Sequence, residues 1–393
     1  MIEFLPQNSK PSARGRWYRL LGLCVALCLL LSGCASEWPF SKPSPTDSAS
    51  PSENTRPPLS PVSPEDGERL TIVDTSKAEY SYEEMLEDLE ALEARYPGKM
   101  VKKEIGKSLD GRVLYAVEVG NPNAEKQILI TAGIHAREYL TPLLLMKQLE
   151  FYLYNYDTAT YGEGEAVVSY ADIFDTYRFC LVPMCNPDGI ALSQFGLTAL
   201  RSEELQAMVR AIYASDQKYG YVTDPLEKYL RYWKANARGV DLNRNFDTKD
   251  WKNLSYTPDP CFKNYKGEEP HSEPETKALV QYTESLSCPV ALVSLHSQGE
   301  VIYFDCGQDN PLPNRQLGEA VQAMSGYALS YDRLQAAAFD DWCTMKRGIP
   351  SVTVETGGVL STCPLSIAEF PAIWTAMRPL WMCVATTAQN QLQ

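Results

Sequence analysis

Histidine is scarce in this chain: His135, His271 and His296 are the only three among 393 residues. An imidazole-based metal site would therefore have to draw on positions far apart in the sequence. No Cys-x-x-Cys spacing occurs, which excludes the usual zinc-thiolate frameworks. No Gly-x-Ser-x-Gly elbow occurs either, so the exposed serine nucleophile of that hydrolase class is missing. After residue 68 there is no second linker and no internal repeat. Basic charge is also in deficit. With residues 1–34 set aside, 32 basic and 49 acidic residues remain, a net charge of −17. Such a field repels polyanions and argues against a nucleic-acid partner. A cationic or amine-bearing substrate stays open.

What is present falls into three zones. Residues 1–34 carry Lys10, Arg14, Arg16 and Arg19 ahead of the apolar run LLGLCVALCLLLSGC, the layout of a secretory signal. The run ends in Leu31-Ser32-Gly33-Cys34, which looks like a bacterial lipobox, with Cys34 the expected site of lipidation. A plain signal peptide or a single anchor are the bland alternatives, although the run is short against the about 20 residues a span needs. Residues 35–68 hold eight prolines and eight serines. They cannot bury enough apolar surface to offset their ordering entropy and are expected to form a disordered, semi-extended tether. Residues 69–393 form the expected catalytic domain. The protein is thus expected outside the cytoplasm, lipid-anchored to the cell membrane, as a monomer.

Cys24, Cys28 and Cys34 fall in the first zone, leaving Cys180, Cys185, Cys261, Cys288, Cys306, Cys343, Cys363 and Cys383. Export permits disulfides among these, but no pairing is readable, and several sit in apolar runs as small buried residues.

In the third zone, YEEMLEDLEALEARYP (82–97) has helical spacing ended by Pro97. LYAVEV (114–119), QILITAG (127–133), YRFCLVPM (177–184), ALVSLH (291–296) and SVTVET (351–356) read as strands. Asn186-Pro187-Asp188-Gly189 reads as a turn, about 138–156 as a helix, and 272–286 as a helix opened by a Ser272–Glu275 capping box. Residues 157–172 and 197–232 read as irregular insertions walling a cleft. The alternation implies a single α/β domain with a mixed, mostly parallel central sheet flanked by helices.

Ligands in such sheets gather at the C-terminal strand ends. His135, in TAGIHAREYLTP, lies just past one such end with Glu138 three positions on, and His296 ends another strand. Taken alone, His-x-x-Glu recurs by chance, and a lone histidine is more often structural than ligating. The paired placement gives it weight, because a hydrolytic zinc site takes three protein ligands and leaves a position for water. Glu355 interrupts the apolar run of a third strand, where an unpaired charge is costly. Beside a metal-activated water it has a use as general base and acid. His271, in EEPHSEPET, reads as an exposed loop residue.

HAREYLTP, GVDLNRNF (239–246), HSEPETKAL (271–279), SLHSQGEVIYF, FDDW (339–342) and VTVETGG occur in this order. Over most of residues 75–385 the chain resembles the zinc carboxypeptidases of the A, B and T type. WKANARGVDLNRNF and HSQGEVIY are similar to segments of bacterial γ-D-glutamyl-L-diamino acid peptidases, which act on peptidoglycan stem peptides. The resemblance implies one Zn2+ per chain held by His135, Glu138 and His296, with Glu355 as general base. It implies that Asn243 and Arg244 bind the substrate's terminal carboxylate, for which a guanidinium offers a planar fork.

Three positions depart from the family pattern. Lys234 stands where relatives with carboxypeptidase activity carry an arginine that polarises the scissile carbonyl, with Arg238 as a substitute candidate. Tyr331 is about two residues out of place for the family's mobile tyrosine and is not assigned. Asp340 stands at a specificity position where basic-specific carboxypeptidases carry an acid and the wall peptidases a lysine, which implies a preference for an amine-bearing side chain. The expected activity is hydrolysis of a peptide bond near a C-terminus, of an ordinary peptide or of a peptidoglycan stem. The alternative is a non-catalytic peptide- or wall-binding lipoprotein on the same fold, which would have no need to retain Glu355.

Overall fold

In the computed structural model, the structure describes residues 70–249, 251–334 and 336–390. The expected signal, Cys34 and the tether lie outside the described residues. Among the described residues no helix is long and apolar enough to cross a membrane.

Strands β1 (Met100–Lys107), β2 (Val113–Val119), β3 (Lys126–Thr131), β6 (Tyr177–Val182), β7 (Pro289–Ser297), β8 (Val301–Tyr303), β9 (Ala328–Ser330) and β10 (Ser351–Thr356) form one sheet in the order β1-β2-β6-β3-β7-β10-β8-β9. A separate hairpin pairs β4 (Thr160–Tyr161) with β5 (Val168–Ser169). The centre, β6-β3-β7-β10, is parallel, and β8-β9 is parallel too. The pairings β1-β2, β2-β6 and β10-β8 are antiparallel. The sheet is therefore mixed and parallel where it is most buried, as the continuous apolar runs of β3 and β7 require.

Helices cover both faces. Leu140–Tyr154 is buried along almost its whole length, and its neighbour Trp381, on the helix Leu380–Asn390, stacks on Tyr152 (4.4 Å) and Phe179 (5.2 Å). On the other face Leu129, Leu292, Phe246, Phe339 and Trp342 share a second core. The segments read as irregular are largely ordered. Glu203–Lys218 is a helix capped by Ser202 and Leu226–Arg231 a shorter one, and both pack with Trp233 into a third core. Asn186-Pro187-Asp188-Gly189 is not a free turn: Asn186 accepts the Gly189 N–H (3.0 Å) and caps the helix Pro187–Phe195.

The Ser272–Glu275 capping box does not form. Ser272 Oγ instead accepts from Asn245 Nδ2 (2.9 Å) and donates to Glu273 (2.8 Å), and the helix runs Pro274–Ser285 with Glu273 at its cap. His271 is half-buried rather than exposed. Its Nε2 accepts the Asp247 N–H (3.0 Å), and its ring meets Phe246 (5.7 Å) and Trp342 (5.9 Å) edge-on. All eight cysteines in the described residues are free thiols, and six of them are buried.

Candidate active site

β3 ends at Thr131, and the chain turns sharply across the strand ends. Gly133 adopts φ +64°, and a Cβ there would meet Pro142 at 2.7 Å and Ile190 at 2.8 Å. Only glycine fits this approach without displacing neighbours. Two residues on, His135 accepts the Glu138 N–H at its carbonyl (3.1 Å), so that both side chains leave the same turn. His296 arrives from β7, and Glu355 lies directly opposite it in the parallel register with β10.

The convergence is close. His135 Nδ1 lies 2.9 Å from Glu138 Oε1, His296 Nδ1 lies 3.1 Å from Glu138 Oε2, and the two Nδ1 atoms are 3.1 Å apart. Two imidazole nitrogens and a carboxylate turned to one point suit a shared cation, since ligand atoms each about 2 Å from one ion sit roughly 3–3.5 Å from one another. Among the described residues this is the set of His, Cys, Asp or Glu side chains that could hold a metal ion. The arrangement behind the ligands fits the same reading. Asp241 Oδ1 stands 3.3 Å from His135 Nε2, the far ring nitrogen, and Asn243 Nδ2 stands 3.4 Å from His296 Nε2. Carboxylates and amides at those positions fix the ring orientation of ligating histidines.

The electrostatics follow from burial and neighbours. Burial lowers His135 and keeps its ring neutral, the form that ligates. Burial alone would raise Glu138, but the two histidine rings hold it well below the usual carboxylate range. His296 rises against its burial because Glu138 bonds to it, a direction that a neighbouring cation would reverse. Burial, then the nearby Glu138 charge, pushes the Glu355 carboxyl up to about 7. Burial pushes the Lys234 ammonium down to about 8 against the pull of Asp241, 3.5 Å away.

The zinc carboxypeptidase family pattern matches residues 85–359. The chain belongs to the zinc carboxypeptidase family. It is 30% identical over 296 residues to the γ-D-glutamyl-L-diamino acid endopeptidase 1 of Lysinibacillus sphaericus, spanning 75% of this chain and 69% of that protein. It is 27% identical over 243 residues to human mast cell carboxypeptidase A, spanning 61% of this chain and 50% of that one. The crystal structure of thrombin activatable fibrinolysis inhibitor superposes with a TM-score of 0.62 at 22% identity, covering 81% of this chain and 80% of that chain, which shows a shared fold. The protein is therefore a zinc metallopeptidase, and the residues present fit the one zinc ion that zinc carboxypeptidases use.

Around the cluster the other expected site residues divide. Lys234 is buried beside Asp241. Arg238 is not: its Nε lies 3.6 Å from Glu273 and its side chain is 43% exposed, so of the two Lys234 is the one buried beside Asp241. Asn243 uses its amide oxygen to accept the Phe339 N–H (3.0 Å). Arg244 donates to the Asn243 carbonyl (2.7 Å), and its guanidinium lies 5.3 Å from the Tyr256 ring centroid. Asp340 accepts from Thr353 Oγ1 (2.9 Å) through Oδ2, while its buried Oδ1 has no hydrogen-bond partner. Asp341 instead ties down the backbone N–H groups of Ala336 (2.8 Å) and Ala338 (3.1 Å). Tyr331 is 63% exposed against Phe304 and Arg315, on the surface.

Two residues escape a reading of the sequence. Asp241 carries a signal in retrospect, as a charged residue in the otherwise apolar turn VDL. Arg137 sits between two ligands in HARE, and its buried Nε has no hydrogen-bond partner.

Proposed function

We propose that the protein hydrolyses a peptide bond near the C-terminus of its substrate, with Glu355 as general base and acid and with His135, Glu138 and His296 as the zinc ligands. The observation that carries this reading is the register of β7 and β10, which sets Glu355 opposite His296 at the edge of the three-ligand cluster. Zinc, when bound, lowers the pKa of water from about 16 to about 7 and polarises a carbonyl. Glu355 takes the proton of the attacking water while the water oxygen bonds to the carbonyl carbon. As the carbon–nitrogen bond breaks, Glu355 returns that proton to the departing amine. Lys234 faces the charge that develops on the carbonyl oxygen, where a well-placed donor is worth about 3–4 kcal/mol. Arg244 binds the terminal carboxylate, with Asn243 beside it holding the ring of His296.

The substrate class we infer is a peptidoglycan stem peptide. The likeness to the Lysinibacillus enzyme supports it, as do the lipobox sequence at Cys34 and the Pro/Ser-rich segment 35–68, which would tether the domain to the outer face of a membrane. Asp340 favours an amine on the substrate side chain, because its inward oxygen still wants a donor. One experiment tests the reading. The mature protein is assayed for bound zinc and incubated with muropeptides, and with a blocked dipeptide ending in lysine or leucine. About one zinc per chain and cleavage of muropeptides are expected, with activity lost in Glu355→Gln. Tight binding of muropeptides without cleavage would favour the alternative, a wall-binding lipoprotein.

A further inference from the structure

Residues 70–80 form a strap that is bolted down at both ends. Lys147 Nζ donates to the carbonyls of Leu70 (2.8 Å) and Val73 (3.0 Å), and Glu150 accepts the N–H groups of Ile72 (2.7 Å) and Val73 (3.2 Å). At the far end Gln194 exchanges two hydrogen bonds with the Tyr80 backbone (2.8 and 3.0 Å). The stretch held between these clasps, residues 76–79, lines a cleft of about 730 Å³.

The cleft opens beside the metal cluster. Tyr139, which follows the ligand Glu138, lines it. So does Cys363, whose thiol lies 3.3 Å from Ser297 Oγ, and the Ser297 N–H donates to Glu138 (3.2 Å). Arg244 and Asp340, assigned above to the C-terminal side of the substrate, do not line it. The cleft therefore receives the acyl side.

Three polar groups in the cleft are unspent. Tyr139 is only 8% exposed, yet its hydroxyl has no hydrogen-bond partner among the described residues. The charges of Glu79 and Arg231 both bear on that hydroxyl. Both side chains line the cleft, and neither enters an ion pair or hydrogen bond among the described residues. Tyr232, 37% exposed, adds an aromatic ring. Ligand clefts of about 300–1,000 Å³ enclose groups of drug size, so one terminal alanine would leave most of this space empty. A pyranose suits it better. Its apolar face packs on a ring, and its hydroxyl and acetamido groups donate and accept, which satisfies a carboxylate, a guanidinium and a phenol together.

We infer that this cleft is a subsite for the N-acetylated amino sugar that carries the stem peptide, bonded by Tyr139, Glu79 and Arg231. This rests on the stem-peptide reading. The enzyme then acts on peptide still joined to glycan, and the strap, besides joining the tether to the domain, sets what the site accepts.

The test compares three substrates on the mature, zinc-loaded protein: N-acetylmuramyl-L-alanyl-γ-D-glutamyl-L-lysine, the same peptide with an acetyl group in place of the sugar, and the same peptide with a free alanine amine. The wild type is expected to favour the sugar-bearing substrate over the acetylated one by about tenfold to a hundredfold in kcat/KM, the range of two or three hydrogen bonds. Glu79→Ala and Arg231→Ala, both at exposed positions, and Tyr139→Phe are each expected to lower that ratio by about threefold to tenfold. Thermal melting checks that the variants fold, and the wild-type ratio stands without them. Equal cleavage of the sugar-bearing and acetylated substrates by the wild type, or a preference for the free amine, would overturn the subsite and leave the stem-peptide reading intact. A wild-type preference that none of the three variants lowers would overturn the assignment of these residues. Cleavage of none of the three, with cleavage of an α-linked C-terminal lysine, would sink the stem-peptide reading and the subsite together.

Discussion

Glu275 and Glu138 are both buried carboxylates in one domain, and their surroundings push them in opposite directions. Glu275 receives the Leu109 N–H (3.3 Å) and faces Asn236 Nδ2 (3.4 Å). Burial, then Asp188 nearby, pushes it up to about 8, so at neutral pH it is held as a protonated acid among amides. Its neighbour Asp188 is absorbed by Arg112, Ser108 and the Asp110 N–H. Glu138 is held well below the ordinary range by two rings whose nitrogens turn toward it and toward each other. Burial of an acid is common to both places and marks nothing. What distinguishes the working group is ligating nitrogens and oxygens converging on one point, whereas Glu275 is engaged by the Leu109 N–H and the Asn236 amide within the protein.

That contrast can be attacked from either side. Glu355→Gln should lower kcat by about 10²–10⁴-fold, the range for a positioned acid–base group, while zinc content and melting temperature stay near wild type. Because the Glu355 carboxyl sits up at about 7, the ionised base is lost as pH falls through that value. The pH profile of kcat/KM should therefore show an acid limb, displaced below 7 by the zinc charge, that vanishes in the variant. Asp241→Asn should weaken zinc binding by about 10–100-fold in a chelator titration, since it withdraws the carboxylate behind His135. A variant with unchanged affinity would make Asp241 merely a partner of Lys234. Asp340→Ala should shift the preference for lysine over leucine substrates by about tenfold, or about 1.4 kcal/mol; an unmoved ratio removes Asp340 from the specificity pocket.

The smallest effect belongs to the acid that does no chemistry. The folded pKa of Glu275, about 8, lies above that of an unfolded carboxyl, so the unfolded chain releases the proton first. Its contribution to stability is present at low pH and is lost as pH rises toward 8. Glu275→Gln should flatten that decline in a series of melts between pH 5 and 8, with little change in kcat.

Much of the site was legible because its residues violate the pattern of the elements that carry them. Glu355 breaks an apolar β-branched strand, and two of three histidines fall at strand ends. The parallel centre was legible too, from runs apolar on both faces. What was hidden depends on tertiary partners. Ser272 has the spacing of a cap, but Asn245 and Glu273 offer its hydroxyl better bonds than the helix does. Asn186 looks like a turn residue until its side chain is seen holding Gly189. His271 sits in a polar stretch, and only the fold brings Phe246 and Trp342 to its ring. Arg238 and Lys234 are four residues apart in one segment, and no local rule says which one turns inward.

The pairing of residues 355 and 296 also tells where this chain can tolerate change. Side chains alternate between the two faces of a strand, so sliding β10 by a single position would aim the glutamate into the opposite layer of the protein. In the stretch joining the two strands, residues 298–350, β8 also pairs with β10 and sets Val301 opposite Glu355, so length changes leave that alignment untouched only outside β8. Variation that retunes what the enzyme accepts should therefore accumulate in this connection, while a one-residue deletion inside 351–354 should silence the enzyme although every side chain of the centre is still encoded.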